Sequence, residues 1–155
     1  MPPFLVKDRE DNLDALRRSF RAGSENVAGW PSVIYLEATA VCNLRCPMCP
    51  TIIGLPREPY RTSTFDLNLL PKVEPALPFV RRAFLSGGGE PLLHPRLFEI
   101  VRLLKRHGVE VHFNSNATLL TPERAAEIVA SGVDTIPFSI DGATPETYAK
   151  IRVGG

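Results

Sequence analysis

The sequence predicts an α/β fold of repeated strand-loop-helix units, on three observations. Short β-rich runs recur from Val33 onward, at Val33 to Glu37, Arg82 to Ser86, Val109 to Ser115 and Thr135 to Ile140. Polar loops follow them, and the later helices open with a proline near the N-terminus, at Pro95, Pro122 and Pro145, where the missing N–H has no partner to lose. Glycine then stands before the next run, at Gly108 and Gly132, as at many helix ends. Strands alternating with helices make βαβ units, which form a parallel sheet with right-handed crossovers.

Ahead of the repeat, residues 8 to 22 predict a short amphipathic helix with Leu13, Leu16 and Phe20 on one side and Gly23 as its stop. Residues 1–30 are thus expected to be an N-terminal helical accessory segment, and residues 31–155 the core. The crossover between Thr64 and Leu77 predicts an interrupted helix, because Pro71 and Pro75 break a long one. From Pro95 to His107, Leu97, Ile100, Val101 and Leu104 recur at helical spacing before Gly108. Thr121 is the expected N-cap of the next helix, with Pro122 at its first position, Ala125, Ile128 and Val129 inward and Gly132 as its stop. Thr144 and Pro145 open a third helix in the same style. Four units do not close a barrel, and Gly155 falls barely two turns into that helix, leaving a bare edge strand. The expectation is a fragment of a longer protein, or the product of a truncated reading frame.

Composition sets the class and leaves the activity open. Among 155 residues, 44% are hydrophobic and 23% charged, as in an ordinary soluble domain. The formal net charge is +1, and basic residues are scattered in pairs such as Arg17/Arg18 and Arg81/Arg82; no positive stripe points to a nucleic-acid partner. Lys7, Asp8, Arg9, Glu10 and Asp11 follow only a few apolar residues, which argues against a secretory signal, and no apolar run reaches membrane-spanning length. The expected location is cytoplasmic, with no membrane partner.

All three cysteines, Cys42, Cys46 and Cys49, fall in one loop with C-x3-C-x2-C spacing. An odd, crowded set suits metal ligation better than a disulfide framework. Thiolates are soft ligands for iron-sulfur clusters and for zinc. A zinc site would need completion by His94 or another histidine, and the second half of the usual zinc motif is missing. Three ligands without a fourth suit a cubane with one open iron, where a small molecule can bind. His94, His107 and His112 have no motif around them that requires ligation, and His94 reads as a residue that opens the following helix. Glycines 87 to 89 permit close backbone approach and positive φ, and Glu90 beside them can accept from an ammonium group. The plainer reading of that stretch is a tight turn with a solvated carboxylate. These loops fall at the carboxyl ends of the runs, where parallel α/β folds bind ligands.

Cys42-Asn43-Leu44-Arg45-Cys46-Pro47-Met48-Cys49 at the end of the first run resembles the signature of the radical S-adenosylmethionine (SAM) superfamily. The resemblance continues through Gly87-Gly88-Gly89-Glu90-Pro91, Asn114-Ser115-Asn116 and Ser139-Ile140-Asp141-Gly142, on strand-loop order rather than on one short motif. It implies that the four βα units begin a partial (β/α)6 TIM-type barrel. It implies a 4Fe-4S cluster on Cys42, Cys46 and Cys49, with SAM chelating the fourth iron through its amino nitrogen and carboxylate. An electron from a low-potential flavodoxin- or ferredoxin-type donor would then break the sulfonium bond homolytically, and the 5′-deoxyadenosyl radical would take a hydrogen from a substrate that the sequence does not name.

The same resemblance implies individual cofactor contacts and assigns no catalytic side chain. Gly88, Gly89 and Glu90 would receive the methionyl ammonium group. Ser139 would hydrogen-bond the ribose or methionyl part, or else cap local backbone; Asn116 would do likewise, or else form an Asx-turn. Met48 would pack beside adenine, although many members carry an aromatic residue there. Arg152, after Tyr148 and Ile151, would clasp the SAM carboxylate, or else be a solvated helix charge. Asp141, before Gly142, reads as a turn residue. The wording of the motifs is similar to members with a C-terminal SPASM or twitch extension, and any auxiliary cluster would lie beyond Gly155. Two other classes stay open: a catalytically inactive cluster-binding fragment, and a zinc-stabilised binding module.

Overall fold

Three parallel strands, β1 (Val33–Tyr35), β2 (Arg82–Phe84) and β3 (Glu110–His112), lie side by side in that order. Val33, Arg82 and Glu110 share one register row, and Tyr35, Phe84 and His112 another. This computed structural model describes residues 6–54 and 60–155, so part of the predicted accessory segment, residues 1–5, lies outside the described residues. The elements between and around the strands are α1 (Arg9–Arg21), α2 (Leu70–Val73), α3 (Leu97–Arg106), α4 (Pro122–Ser131) and α5 (Pro145–Ile151). Among the described residues no helix is long and apolar enough to cross a membrane.

Alternation along the strands decides which face is buried. Ala83, Leu85, Val111 and Phe113 point into a core shared with Leu97, Ile100, Val101 and Leu104 of α3, each buried leucine contributing about 2 kcal/mol. The other face carries a ladder of rings, Tyr35 on Phe84 at 4.8 Å between centroids and Phe84 on His112 at 5.3 Å. α3 is anchored at its start by His94 and stopped by Gly108 at φ 67°. The expected crossover is interrupted as its prolines require: short 3-10 turns at Leu67–Leu69 and Glu74–Ala76 flank the four-residue α2. The Thr121 hydroxyl accepts from Arg124 N and the Thr144 hydroxyl from Thr147 N, so α4 and α5 start where local capping dictates.

Three expectations need correction. Phe20 is 87% exposed; the inner face of α1 is Asn12, Ala15 and Ser19. The returning segment lies against that face so closely that small or hydrogen-bonding side chains are required: the Asn12 amide holds both N and O of Trp30, and the Ser19 hydroxyl accepts Ala28 N. On α4, Val129 is 81% exposed while Ile128 packs against the core, because one neighbouring helix covers only a narrow face. The fourth run is not a strand of the sheet. It meets β3 and the residues after it in two isolated parallel bridges, His112 with Thr135 and Ser115 with Phe138. Thr135 N bonds Val111 O and Ser139 N bonds Ser115 O, and the ladder bond between these two would come from position 137, where proline has no N–H.

Candidate functional site

The loop after β1 is held in place before any ligand is considered. Thr39 pairs antiparallel with Thr64, Leu44 is buried beneath the loop at 2% exposure, and Arg45 N bonds Val153 O at 2.8 Å. Cys46 to Ile53 then turn tightly, with Cys49 N on Cys46 O and the N–H groups of Ile52 and Ile53 on Cys49 O. All three cysteines are free thiols. Each sulfur has a hydrogen-bonding neighbour: Leu44 N lies 3.4 Å from Cys42 Sγ, Arg152 Nη1 3.8 Å from Cys46 Sγ and Thr51 Oγ1 2.9 Å from Cys49 Sγ. Burial of the Cys42 thiol pushes its pKa up, the Leu44 N–H opposes this, and the nearby Glu90 charge adds to the rise. Among the described residues no three metal-binding side chains are gathered as one ion would require. A cluster of several irons would ask less, since each iron would need only one of the three thiols.

The glycine loop after β2 packs onto this loop from the side. None of Gly87, Gly88 and Gly89 has positive φ among the described residues, so the expected conformational reason for glycine does not apply. The reason is space: a methyl on Gly87 would overlap the Glu37 carboxylate, on Gly88 the Thr51 methyl, and on Gly89 the Thr39 and Val41 carbonyls. Glu37, at the carboxyl end of β1, accepts Gly88 N and the Tyr60 hydroxyl, the latter at 2.6 and 2.7 Å. That hydrogen bond, with burial and the carboxylate charge adding to it, pushes the Tyr60 phenol up to about 12.

Glu90 is 2% exposed. Its carboxylate accepts Leu92 N at 3.1 Å, the Ser115 hydroxyl at 2.9 Å and Asn116 N at 2.7 Å. One acceptor position of roughly four remains. The Asn116 side chain is likewise engaged: Nδ2 donates to Asn43 Oδ1, and Oδ1 accepts Thr118 N in an Asx-turn and the Thr118 hydroxyl. Ala117 between them sits at φ 61°. The Ser139 hydroxyl makes no hydrogen bond among the described residues, although Ser139 N is bonded to Ser115 O. Arg152 donates through Nε to Asp141 at 2.5 Å and reaches Cys46 Sγ through Nη1, which sets its guanidinium at the cavity wall. Burial works against the charge of Arg152, and Cys46 and Asp141 outweigh it and raise the pKa.

One cavity of about 310 Å3 collects every site residue expected from the sequence. Cys42, Cys46, Cys49 and Met48 come from the first loop, Gly88, Gly89 and Glu90 from the second, Asn116 from the third, Ser139 from the fourth run and Arg152 from the end of α5. His94 lies outside it. Its Nε2 meets Phe65 O at 3.1 Å and its Nδ1 accepts Arg96 N at 3.0 Å, so both ring nitrogens are engaged, one of them in opening α3. Glu37, Asn43, Tyr60 and Thr51 stand by the cavity without any motif that assigns them a role there, and Asp141, which reads from the sequence as a turn residue, holds Arg152. The one available signal was Glu37, a charged residue at the strand end just before the cysteines.

The family model of the radical SAM superfamily matches residues 36–155. A relative in Pyrococcus furiosus, the tungsten-containing aldehyde ferredoxin oxidoreductase cofactor-modifying protein, is 37% identical over 108 residues, covering 70% of this chain and 30% of its own length. Mycofactocin maturase MftC of Mycobacterium tuberculosis is 33% identical over 154 residues, 99% of this chain and 34% of the relative. The chain thus spans about a third of the length of these curated relatives. Among solved structures, BtrN in complex with AdoMet and 2-DOIA superposes with a TM-score of 0.60 at 21% identity, over 73% of this chain and 47% of that one, a likeness of fold. With more than three quarters of its length under one family model, on the segments that build the cavity, the chain belongs to the radical SAM superfamily.

Proposed function

We propose that this chain forms the cluster- and SAM-binding part of a radical SAM enzyme, with residues 31–155 as the beginning of a partial (β/α)6 barrel and residues 1–30 as an accessory to it. The observation that carries this reading is the convergence of three free thiols, a glycine loop and three further segments, those of Asn116, Ser139 and Arg152, on one cavity. Cys42, Cys46 and Cys49 would hold three irons of a 4Fe-4S cluster. When bound, the cluster and SAM supply reductive cleavage of the sulfonium and a 5′-deoxyadenosyl radical that abstracts hydrogen from substrate. The chain's own part is to bind and orient: Gly88, Gly89 and the remaining acceptor position of Glu90 toward the ammonium group, Arg152 toward the carboxylate, Ser139 and Asn116 toward ribose or methionyl oxygens, and Met48 beside adenine. The electron donor is a flavodoxin- or ferredoxin-type protein. A reducing cytoplasm suits three unpaired thiols that must stay available to iron.

Zinc is the weaker alternative, because it would need His94 or another histidine as fourth ligand, and His94 has both ring nitrogens engaged while none of the three histidines lines the cavity of the cysteines. Anaerobic reconstitution should give about four irons per chain, and Cys42→Ala, Cys46→Ala and Cys49→Ala should each abolish the cluster. SAM should change the paramagnetic resonance signal of the reduced cluster, and dithionite should then release 5′-deoxyadenosine. Cluster binding without that product supports the inactive fragment; stoichiometric zinc that iron does not displace overturns the cluster.

A further inference from the structure

We propose that Thr51 is a positioning residue for the cluster, donating its hydroxyl hydrogen to the Cys49 sulfur and thereby setting the cluster's reduction potential; this rests on the cluster reading above. Thr51 is 8% exposed and its Oγ1 lies 2.9 Å from Cys49 Sγ, where either atom can be the donor while the cysteine is a free thiol. Ligation removes that choice. A thiolate bound to iron has no hydrogen, so the contact persists only as Thr51 O–H to sulfur. The hydroxyl's other neighbour, Gly88 O, is farther away at 3.5 Å. The Thr51 methyl group fills the space that a β-carbon on Gly88 would need, so the other branch of the side chain is the hydroxyl beside the sulfur.

Hydrogen bonds to cluster sulfurs favour the more negative, reduced state and raise the potential. The three sulfurs differ in how they receive one. Cys42 has a main-chain N–H from its own loop, and Cys46 has a longer contact to an arginine whose Nε is committed to Asp141. Among the described residues Cys49 alone has a close donor on a neutral side chain. Thr51→Val therefore removes the donor while keeping charge, shape and the methyl contact.

The test is a redox titration of the reconstituted full chain, followed by the paramagnetic resonance of the reduced cluster, with iron content measured in parallel. Thr51→Val should keep the iron content of wild type and move the midpoint to a more negative potential, outside the scatter of replicate titrations. Thr51→Ser restores the hydroxyl and should return the midpoint toward wild type. An unchanged midpoint in Thr51→Val, or a Thr51→Ser midpoint as negative as that of Thr51→Val, overturns the proposal while leaving the cluster reading intact. Loss of iron from Thr51→Val overturns it too, making Thr51 a residue of cluster assembly. A wild-type chain that takes up no cluster overturns the reading and the proposal together.

Discussion

The Glu90 carboxylate accepts the backbone N–H of Asn116 at 2.7 Å across a sequence separation of 26 residues. With the Ser115 hydroxyl on its other oxygen, one buried side chain joins the second loop to the third. Glu90→Ala leaves these donors buried without a partner, at an expected cost of about 3 kcal/mol. Calorimetry should show a Tm lower by roughly 6–12 °C. A shift below about 2 °C accompanied by loss of SAM binding would make Glu90 a ligand-facing residue with no bracing role.

The Tyr60 phenol should ionise well above the ordinary phenol range. Its folded pKa, about 12 against an ordinary 10.0, means that above pH 10 the unfolded chain loses this proton before the folded one. The stability contributed by the Tyr60–Glu37 pair is therefore full below pH about 10 and lost as pH rises toward 12. An ultraviolet titration should show a late phase near pH 12 that Tyr60→Phe removes. In that variant the urea midpoint should fall less steeply between pH 10 and 12 than in wild type.

Ala117 occupies the left-handed region at φ 61° without being glycine. That conformation costs a β-carbon-bearing residue about 1–2 kcal/mol, whereas glycine loses roughly 0.5–1 kcal/mol more chain entropy on folding. Ala117→Gly should stabilise the chain by the difference, on the order of 0.5–1 kcal/mol, read as a higher urea midpoint. An unchanged or lower midpoint would show that the Asx-turn of Asn116 already offsets the strain.

Arg9 links the accessory helix to the core. Its guanidinium donates to His107 O at 2.6 Å, Gly108 O at 2.9 Å and Pro78 O at 3.2 Å, supplying charge and donors to the C-terminal end of α3. Arg9→Met keeps the apolar stem and should cost about 1–2 kcal/mol. Hydrogen exchange across residues 9–21 should accelerate with it; unchanged protection there would show that Asn12 and Trp30 suffice to dock α1.

Asp141 fixes Arg152 through its Nε. The pair is half-exposed, with side-chain exposures of 39% and 20%, so Asp141→Asn should leave Tm nearly unchanged. If the arginine must be aimed to meet a carboxylate, SAM binding should weaken roughly three- to tenfold with iron content retained. Equal affinity in mutant and wild type would return Asp141 to a turn residue.

Features legible in the sequence share one property: their partners lie within a few residues. Thr121 and Thr144 cap helices through N–H groups three positions on, Gly108 and Gly132 end helices by their own φ, and Pro71 and Pro75 interrupt the crossover within a single turn. Phe20 and Val129 were misplaced because a helix's period says which residues share a face, while burial depends on what covers it. Pro137 carried a readable warning, since a missing N–H interrupts a ladder wherever the strand sits.

The soft-ligand loop, the succession of β-rich runs and helices, and the loops in which polar residues gather can be read from the residues in order, because these follow from covalent spacing and short-range hydrogen bonding. What each polar group meets depends on the folded chain: Glu37 is occupied by Gly88 and Tyr60, Glu90 by Ser115 and Asn116, His94 by Phe65 and Arg96, and the Thr51 hydroxyl faces a cysteine sulfur. A buried donor or acceptor must find a partner wherever the chain brings one. In a parallel sheet each crossover carries the chain tens of residues away before returning it, so most of those partners are remote in the sequence and adjacent only in space.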